Sequence, residues 1–133
     1  MDLTLEMVVV PVTDVDRAKA FYSEQLGFVV DVDDTISDKY RVVQLTPPGS
    51  ACSISIGKGL STGVPGSMQG LQLCTIDIDA TRAHLVGRGV DVTPVRHFEN
   101  GEWIEGHGGR WNSFVSFADP DGNGWVIQEK PAS

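Results

Sequence analysis

The chain repeats itself, and the repeat limits the folds open to it more than any other feature. "DVDRAKAFYSEQLGFVV", from Asp14, lies over "DIDATRAHLVGRGVDV", from Asp77. Asp14 falls on Asp77, Asp16 on Asp79, Ala20 on Ala83 and Tyr22 on Leu85; one residue is then dropped, so that Gly27 meets Gly89 and Val30 meets Val92. In both copies an apolar strand, "EMVVVPV" or "LQLCTID", runs into an acidic turn able to cap a helix, and the helix closes at a glycine. A second match follows downstream, where "TPPGSACSISI" lies over "DPDGNGWVIQE": Pro47 meets Pro120, Gly49 meets Gly122 and Ser55 meets Gln128. Two amphipathic halves align somewhere by chance, but a helix entry and a hairpin matched in the same order point to duplication.

Each half reads as strand, helix, then three strands, the last two joined at a Pro/Gly turn. The expected fold is α+β, with two βαβββ modules in one domain. The first module spans about residues 5–57 and the second about 70–129, with the Gly/Ser-rich residues 58–69 as a linker. A small sheet with one helix on its outer face leaves its inner face bare, so two curved halves would enclose a cleft. Alternation puts Cys52, Ile54 and Ile56, like Trp125, Ile127 and Glu129, on the face suited to helices. Ser53, Ser55, Val126 and Gln128 then line the cleft. Gln128 is read as a hydrogen-bonding group there; the alternative is a strand end facing water.

Composition narrows the function. A chain of 133 residues is the size of one domain. With a formal charge of −8, a pI near 4.6 and no clustering of its ten Lys and Arg residues, it lacks the basic stripe that nucleic acid requires. No segment approaches the roughly 20 apolar residues of a membrane span, and the first residues lack the positive charge of a signal peptide. The expectation is a cytoplasmic protein. Cys52 and Cys74 fall in apolar runs without a CxxC spacing and read as buried free thiols. The acids Asp14, Asp16, Asp77 and Asp79 are explained by helix capping. His84 stands where the first copy has Phe21, which suggests a partly buried structural histidine.

The second half carries an insertion without counterpart, "RHFENGEWIEGHGGRWNSF", residues 96–114. Its glycines at 101, 106, 108 and 109 suggest a mobile lid. Trp103 and Trp111 would then stack on a planar ligand, or cover a sheet edge or a dimer contact. His97 and His107 with Glu105 are the candidates for a catalytic or metal site, although their spacing matches no compact motif.

"VVVPVTDVDRAKAFYSEQLGF" together with "FADPDGNGWVIQE" resembles the vicinal oxygen chelate superfamily, the group of glyoxalases, bleomycin-resistance proteins, fosfomycin-resistance proteins and extradiol dioxygenases. The similarity runs from about Leu5 to Glu129 and is more specific for fold than for activity. It implies paired βαβββ modules with curved sheets around a cleft, and usually a homodimer. Metal-dependent relatives place histidine or glutamine on the first strand of a module and glutamate on the last. Carried over, the first-strand positions hold Met7 and Gly70, or Leu71 if the alignment slips by one, and the last-strand positions hold Ser55 and Gln128. Such a set offers a divalent ion no charged ligand, so no metal and no other cofactor is expected; a divalent metal is the alternative. The resemblance therefore implies one of two functions. The first is a binding module, of the kind through which bleomycin-resistance-type proteins sequester antibiotics. It would hold a hydrophobic or aromatic small molecule with Met7, Ser53, Ser55, Trp103, Trp111 and Gln128, and the net charge would favour cationic or neutral ligands. The second is a metal-dependent glyoxalase-type lyase or isomerase, or a dioxygenase, drawing ligands from His97, Glu105 and His107. A metal-free enzyme using a loop histidine lies between them.

Overall fold

A computed structural model describes residues 1–132. The chain divides into two compact units, the first made of Met1–Met68 with Asp119–Asn123, the second of Gln69–Ala118 and the residues from Gly124 onward. The first unit runs β1 (Met7–Val9), α1 (Val15–Ala20), a π-helical turn (Phe21–Gln25), β2 (Val29–Ser37), β3 (Tyr40–Thr46) and β4 (Ser53–Lys58). Its sheet has the order β1-β4-β3-β2, with β1 parallel to β4 and the other pairs antiparallel. The second runs β5 (Leu71–Thr75), α2 (Ile78–Gly87), β6 (Arg96–Glu99), β7 (Glu102–Glu105), β8 (Phe114–Ala118) and β9 (Gly124–Glu129). Its order is β5-β9-β8-β6-β7, again with the first strand parallel to the last. The fold is α+β in two modules, as the repeat implies. No helix among the described residues is long and apolar enough to cross a membrane.

The duplication is visible atom by atom at the helix ends. The Asp14 carboxylate accepts the Arg17 N–H at 3.0 Å, and its repeat mate Asp77 accepts the Ala80 N–H at 3.0 Å. Gly27 and Gly89 both leave their helices in the left-handed region, at φ 77° and 84°. The residue that the second copy drops is accommodated in the first by the π-helical turn. There the Leu26 N–H reaches back to the Phe21 carbonyl at 3.1 Å, and such a turn holds one residue more than an α-helical one.

Helix α1 packs on β4, burying Val15 and Ala18 with Val43, Leu45, Ile54 and Ile56. Helix α2 packs on β8 and β9, where Ile78 and Leu85 are buried with Val115, Phe117, Trp125 and Ile127. Each buried Val, Leu, Ile or Phe side chain among them contributes roughly 1.5–3 kcal/mol. Glu129 shares that face but serves it with its charge: its carboxylate accepts the Ile78 N–H at 2.9 Å, at the positive end of α2. The Asp119–Asn123 turn is built on a buried carboxylate. Asp119 accepts the Asp121 and Asn123 N–H groups (2.9 Å each), the Asn123 side-chain amide (2.8 Å) and the Tyr22 hydroxyl (2.7 Å).

Three expectations are corrected. Residues 96–105 are not a glycine-hinged lid but a β-hairpin that adds β7 to the sheet edge. Its turn, Asn100 and Gly101 at φ 52° and 80°, has the pair of left-handed residues that two-residue hairpins favour. The second module therefore has four strands after its helix, not three. His84 is exposed rather than partly buried, because it sits about 100° around α2 from its neighbour Leu85, which is buried. The cysteines are free, but Cys74 is exposed and Cys52 half-buried, since Cys74 alternates onto the sheet face away from α2.

Removing the α2 cap tests the local account. Asp77→Ala should lower the unfolding free energy by about 1 kcal/mol in urea titrations. A change indistinguishable from zero would show that Glu129 alone satisfies the helix start.

Candidate functional site

The face of the second sheet away from α2 follows from alternation and register. It presents Gln72 on β5, Val126 and Gln128 on β9, Phe114 and Ser116 on β8, Arg96 and Phe98 on β6, and Trp103 and Glu105 on β7. On it lies an open cavity of about 430 Å³, within the size range of small-molecule sites. Phe98, Trp103, Phe114 and Val126 form its apolar lining, and Gln72, Arg96, Asn112 and Ser116 supply polar groups.

The aromatic wall is fixed by its neighbours. Trp103 meets Phe98 at 5.2 Å and Phe114 at 5.3 Å between ring centres, both edge to face. Each contact contributes about 0.5–1.5 kcal/mol beyond simple burial. The Arg96 guanidinium lies 4.7 Å from the Trp103 ring centre. Trp103 is nevertheless 49% exposed, a held ring with surface left open.

Phe98 is placed by a side chain acting as a strand. Direct pairing of β6 with β8 is confined to Arg96 and Phe114. Beyond that point the Asn112 amide takes over, accepting the Phe98 N–H and donating to the Phe98 carbonyl, both at 2.9 Å. Just before it, Trp111 holds φ 64°, a strained backbone for a bulky residue. Gln128 supports that conformation: its Nε2 donates to the Trp111 carbonyl at 2.7 Å, while its Oε1 accepts from Gln72 Nε2 at 2.7 Å.

The ligand-contact residues predicted from sequence fall in two places. Trp103 and Gln128 share this face of the second sheet; Trp103 lines the cavity, and Gln128 acts through Trp111 and Gln72. Trp111 adjoins Asn112 with its indole half exposed. Met7, Ser53 and Ser55 belong to the first sheet, where Met7 pairs with Ser53 and is 40% exposed. The Ser53 hydroxyl meets that of Thr46 at 2.6 Å, and Ser55, fully buried, donates to the Val43 carbonyl at 3.5 Å.

His97, Glu105 and His107 are engaged separately. His97 alternates away from Arg96 and Phe98, and its two nitrogens face the Gly106 carbonyl at 2.9 Å and the Glu99 carboxylate at 3.0 Å. His107 pairs with Asp79 at 3.0 Å, and Glu105 is exposed. Among the described residues no group of three or more His, Cys, Asp or Glu side chains is arranged to hold a metal ion. The positions that resemble family ligand sites, Met7, Gly70 or Leu71, Ser55 and Gln128, bring no carboxylate, imidazole or thiolate.

A larger recess of about 670 Å³ lies in the first unit over Asp14, Asp16 and Arg41. Its arginine is already engaged: Arg41 binds Asp33 at 3.1 and 3.0 Å and Asp16 at 2.9 Å. Hydrogen bonds from Arg41 and then Lys19 hold Asp33 down to about 2. The smaller cavity, with its open aromatic surface, is the better candidate.

Sequence reasoning missed Gln72, Arg96, Phe98, Asn112, Phe114 and Ser116. Asn100-Gly101 between "RHFE" and "EWIE" was the available signal, since a two-residue hairpin there places Arg96, Phe98, Trp103 and Glu105 on one face.

The sequence matches the family model described as the Glyoxalase/Bleomycin resistance protein/Dioxygenase superfamily over residues 4–127. The chain belongs to this superfamily. Among solved members, TnmS3, an antibiotic binding protein from Streptomyces sp. CB03234, is 32% identical with a TM-score of 0.78, covering 97% of each chain. A glyoxalase/bleomycin resistance protein from the same organism is 32% identical with a TM-score of 0.74, covering 94% of this chain and 99% of that one. A superfamily member from Sphaerobacter thermophilus DSM 20745 is 27% identical with a TM-score of 0.77, covering 97% of this chain and 98% of that one. Comparison with curated protein sequences gave no significant match.

Asn112→Leu should unpair the Phe98 backbone, seen as faster amide exchange at Phe98 with exchange in β9 unchanged; equal protection would show that Asn112 is dispensable. His97 has only acceptors around it, so the imidazolium alone satisfies both, and its pKa is raised above 6.5 by the Gly106 carbonyl first and Glu99 second. A raised pKa stabilises the fold fully below pH about 6.5 and is lost as pH rises through the higher value. The Tm should therefore fall from pH about 6 to about 9 more in the wild type than in His97→Gln; parallel curves would refute the assignment.

Proposed function

We propose that the chain binds a flat, hydrophobic small molecule against the open face of its second module, without a metal ion. The observation that carries this reading is the half-exposed Trp103, held edge-to-face between Phe98 and Phe114 beside the cavity of about 430 Å³. A bicyclic aromatic ligand burying roughly 200 Å² of apolar surface there gains about 5 kcal/mol before the entropy cost of association. The 32% identity to an antibiotic binding protein supports small-molecule binding as the activity. The absence of charged donors at the family's ligand positions supports binding without metal. The two histidines of this region support it too, since His97 on β6 points away from the cavity and His107 is paired with Asp79.

Isothermal titration with 2-naphthylmethanol tests the reading, with Trp103→Ala as the variant. The wild type should bind and the variant should lose roughly tenfold in affinity. Elemental mass spectrometry after dialysis against Mn²⁺, Ni²⁺, Zn²⁺ and Fe²⁺ should find far less than one equivalent. Retention of about one equivalent would overturn the metal-free reading and direct attention to lyase, isomerase or dioxygenase substrates.

A further inference from the structure

We infer that the molecule bound in this cavity carries an anionic or strongly accepting oxygen, and that Arg96 recognises it; the inference rests on the cavity being the ligand site. Among the residues that line the cavity, Arg96 alone carries a charge. Its donors are largely unused. Nε is buried without a hydrogen-bond partner and out of a ligand's reach, but Nη2 makes a single long bond of 3.4 Å to the Ser116 hydroxyl and Nη1 makes none among the described residues. No ion pair to Arg96 occurs among the described residues, although its guanidinium stacks on Trp103 at 4.7 Å. A guanidinium offers five N–H donors in a planar fork that fits a carboxylate or a pair of accepting oxygens. Here that fork stands half-buried against an aromatic wall, where a partly screened charge interacts more strongly than it does in bulk water.

The local charge reverses what the bulk charge suggests. A net charge of −8 favours cationic ligands at long range, but salt screens charges beyond about 8 Å, whereas Arg96 acts at contact. Glu105 is the opposing group on this face, directly across from Arg96 in the strand register and exposed. Its carboxylate weakens anion binding without abolishing it. The ligand class is therefore a planar aromatic acid, phenolate or quinone-like acceptor rather than an aromatic amine.

Three matched probes test the inference by isothermal titration at about 0.15 M salt: 2-naphthoate, 2-naphthylmethanol and 2-naphthylmethylammonium. The wild type should bind the carboxylate roughly tenfold more tightly than the alcohol, and the ammonium most weakly. Arg96→Gln should erase the preference of carboxylate over alcohol, whatever it does to alcohol binding itself, and Glu105→Gln should strengthen carboxylate binding severalfold. If Arg96→Gln does not fold, the wild-type order alone decides. Alcohol binding without a carboxylate preference, or a preference that survives Arg96→Gln, would overturn this inference and leave the binding function standing. Failure of all three probes to bind would overturn both.

Discussion

A helix covers one face of the second sheet and leaves the other open, and the chemistry of the module depends on that asymmetry. Strand periodicity then decides every side chain's fate: Trp125 and Ile127 go under α2, Val126 and Gln128 to the open side. A slip of one residue would exchange the two sets. Register in β9 is fixed from both faces at once, by Glu129 at the start of α2 and by Gln128 at the Trp111 carbonyl.

What the sequence made legible was whatever it repeats. Paired aspartates gave both helix caps, paired glycines gave both left-handed exits, and the dropped residue marked the π-helical turn. Alternation along β9 placed Gln128 correctly opposite the helix-facing Trp125 and Ile127. The aromatic wall was hidden because it lies in the insertion, where there is no repeat mate to compare, and abundant glycine was read as mobility. The Asn112 contact was harder still: a side-chain amide replacing a strand partner leaves no period in the sequence. Arg96 was obscured by averaging, since a net charge says nothing about one cation on one face. His84 and Cys74 were misread for a simpler reason, that residue type is a weaker guide to burial than position on a helix or strand.

Equivalent positions have diverged in use. Ser55 is fully buried and spends its hydroxyl on the neighbouring strand, whereas its repeat mate Gln128 is long enough to reach out of its strand to Trp111 and Gln72. The first module's sheet thus carries closed hydroxyl contacts, with its charges gathered around Arg41 and Asp33. The second has gained a hairpin, three aromatic rings and an arginine on its open side. Duplication supplied the scaffold twice, and the exposed aromatic rings beside an arginine lie on one copy.

The left-handed backbone of Trp111 sets stability against exposed aromatic surface at a single position. Glycine would occupy that conformation without strain, as it does nearby at Gly101 and Gly106. Replacement by glycine would relax the loop and leave the carbonyl that Gln128 grips, yet remove the indole. A gain in robustness at this position would therefore come at the expense of aromatic surface, with the fold unchanged.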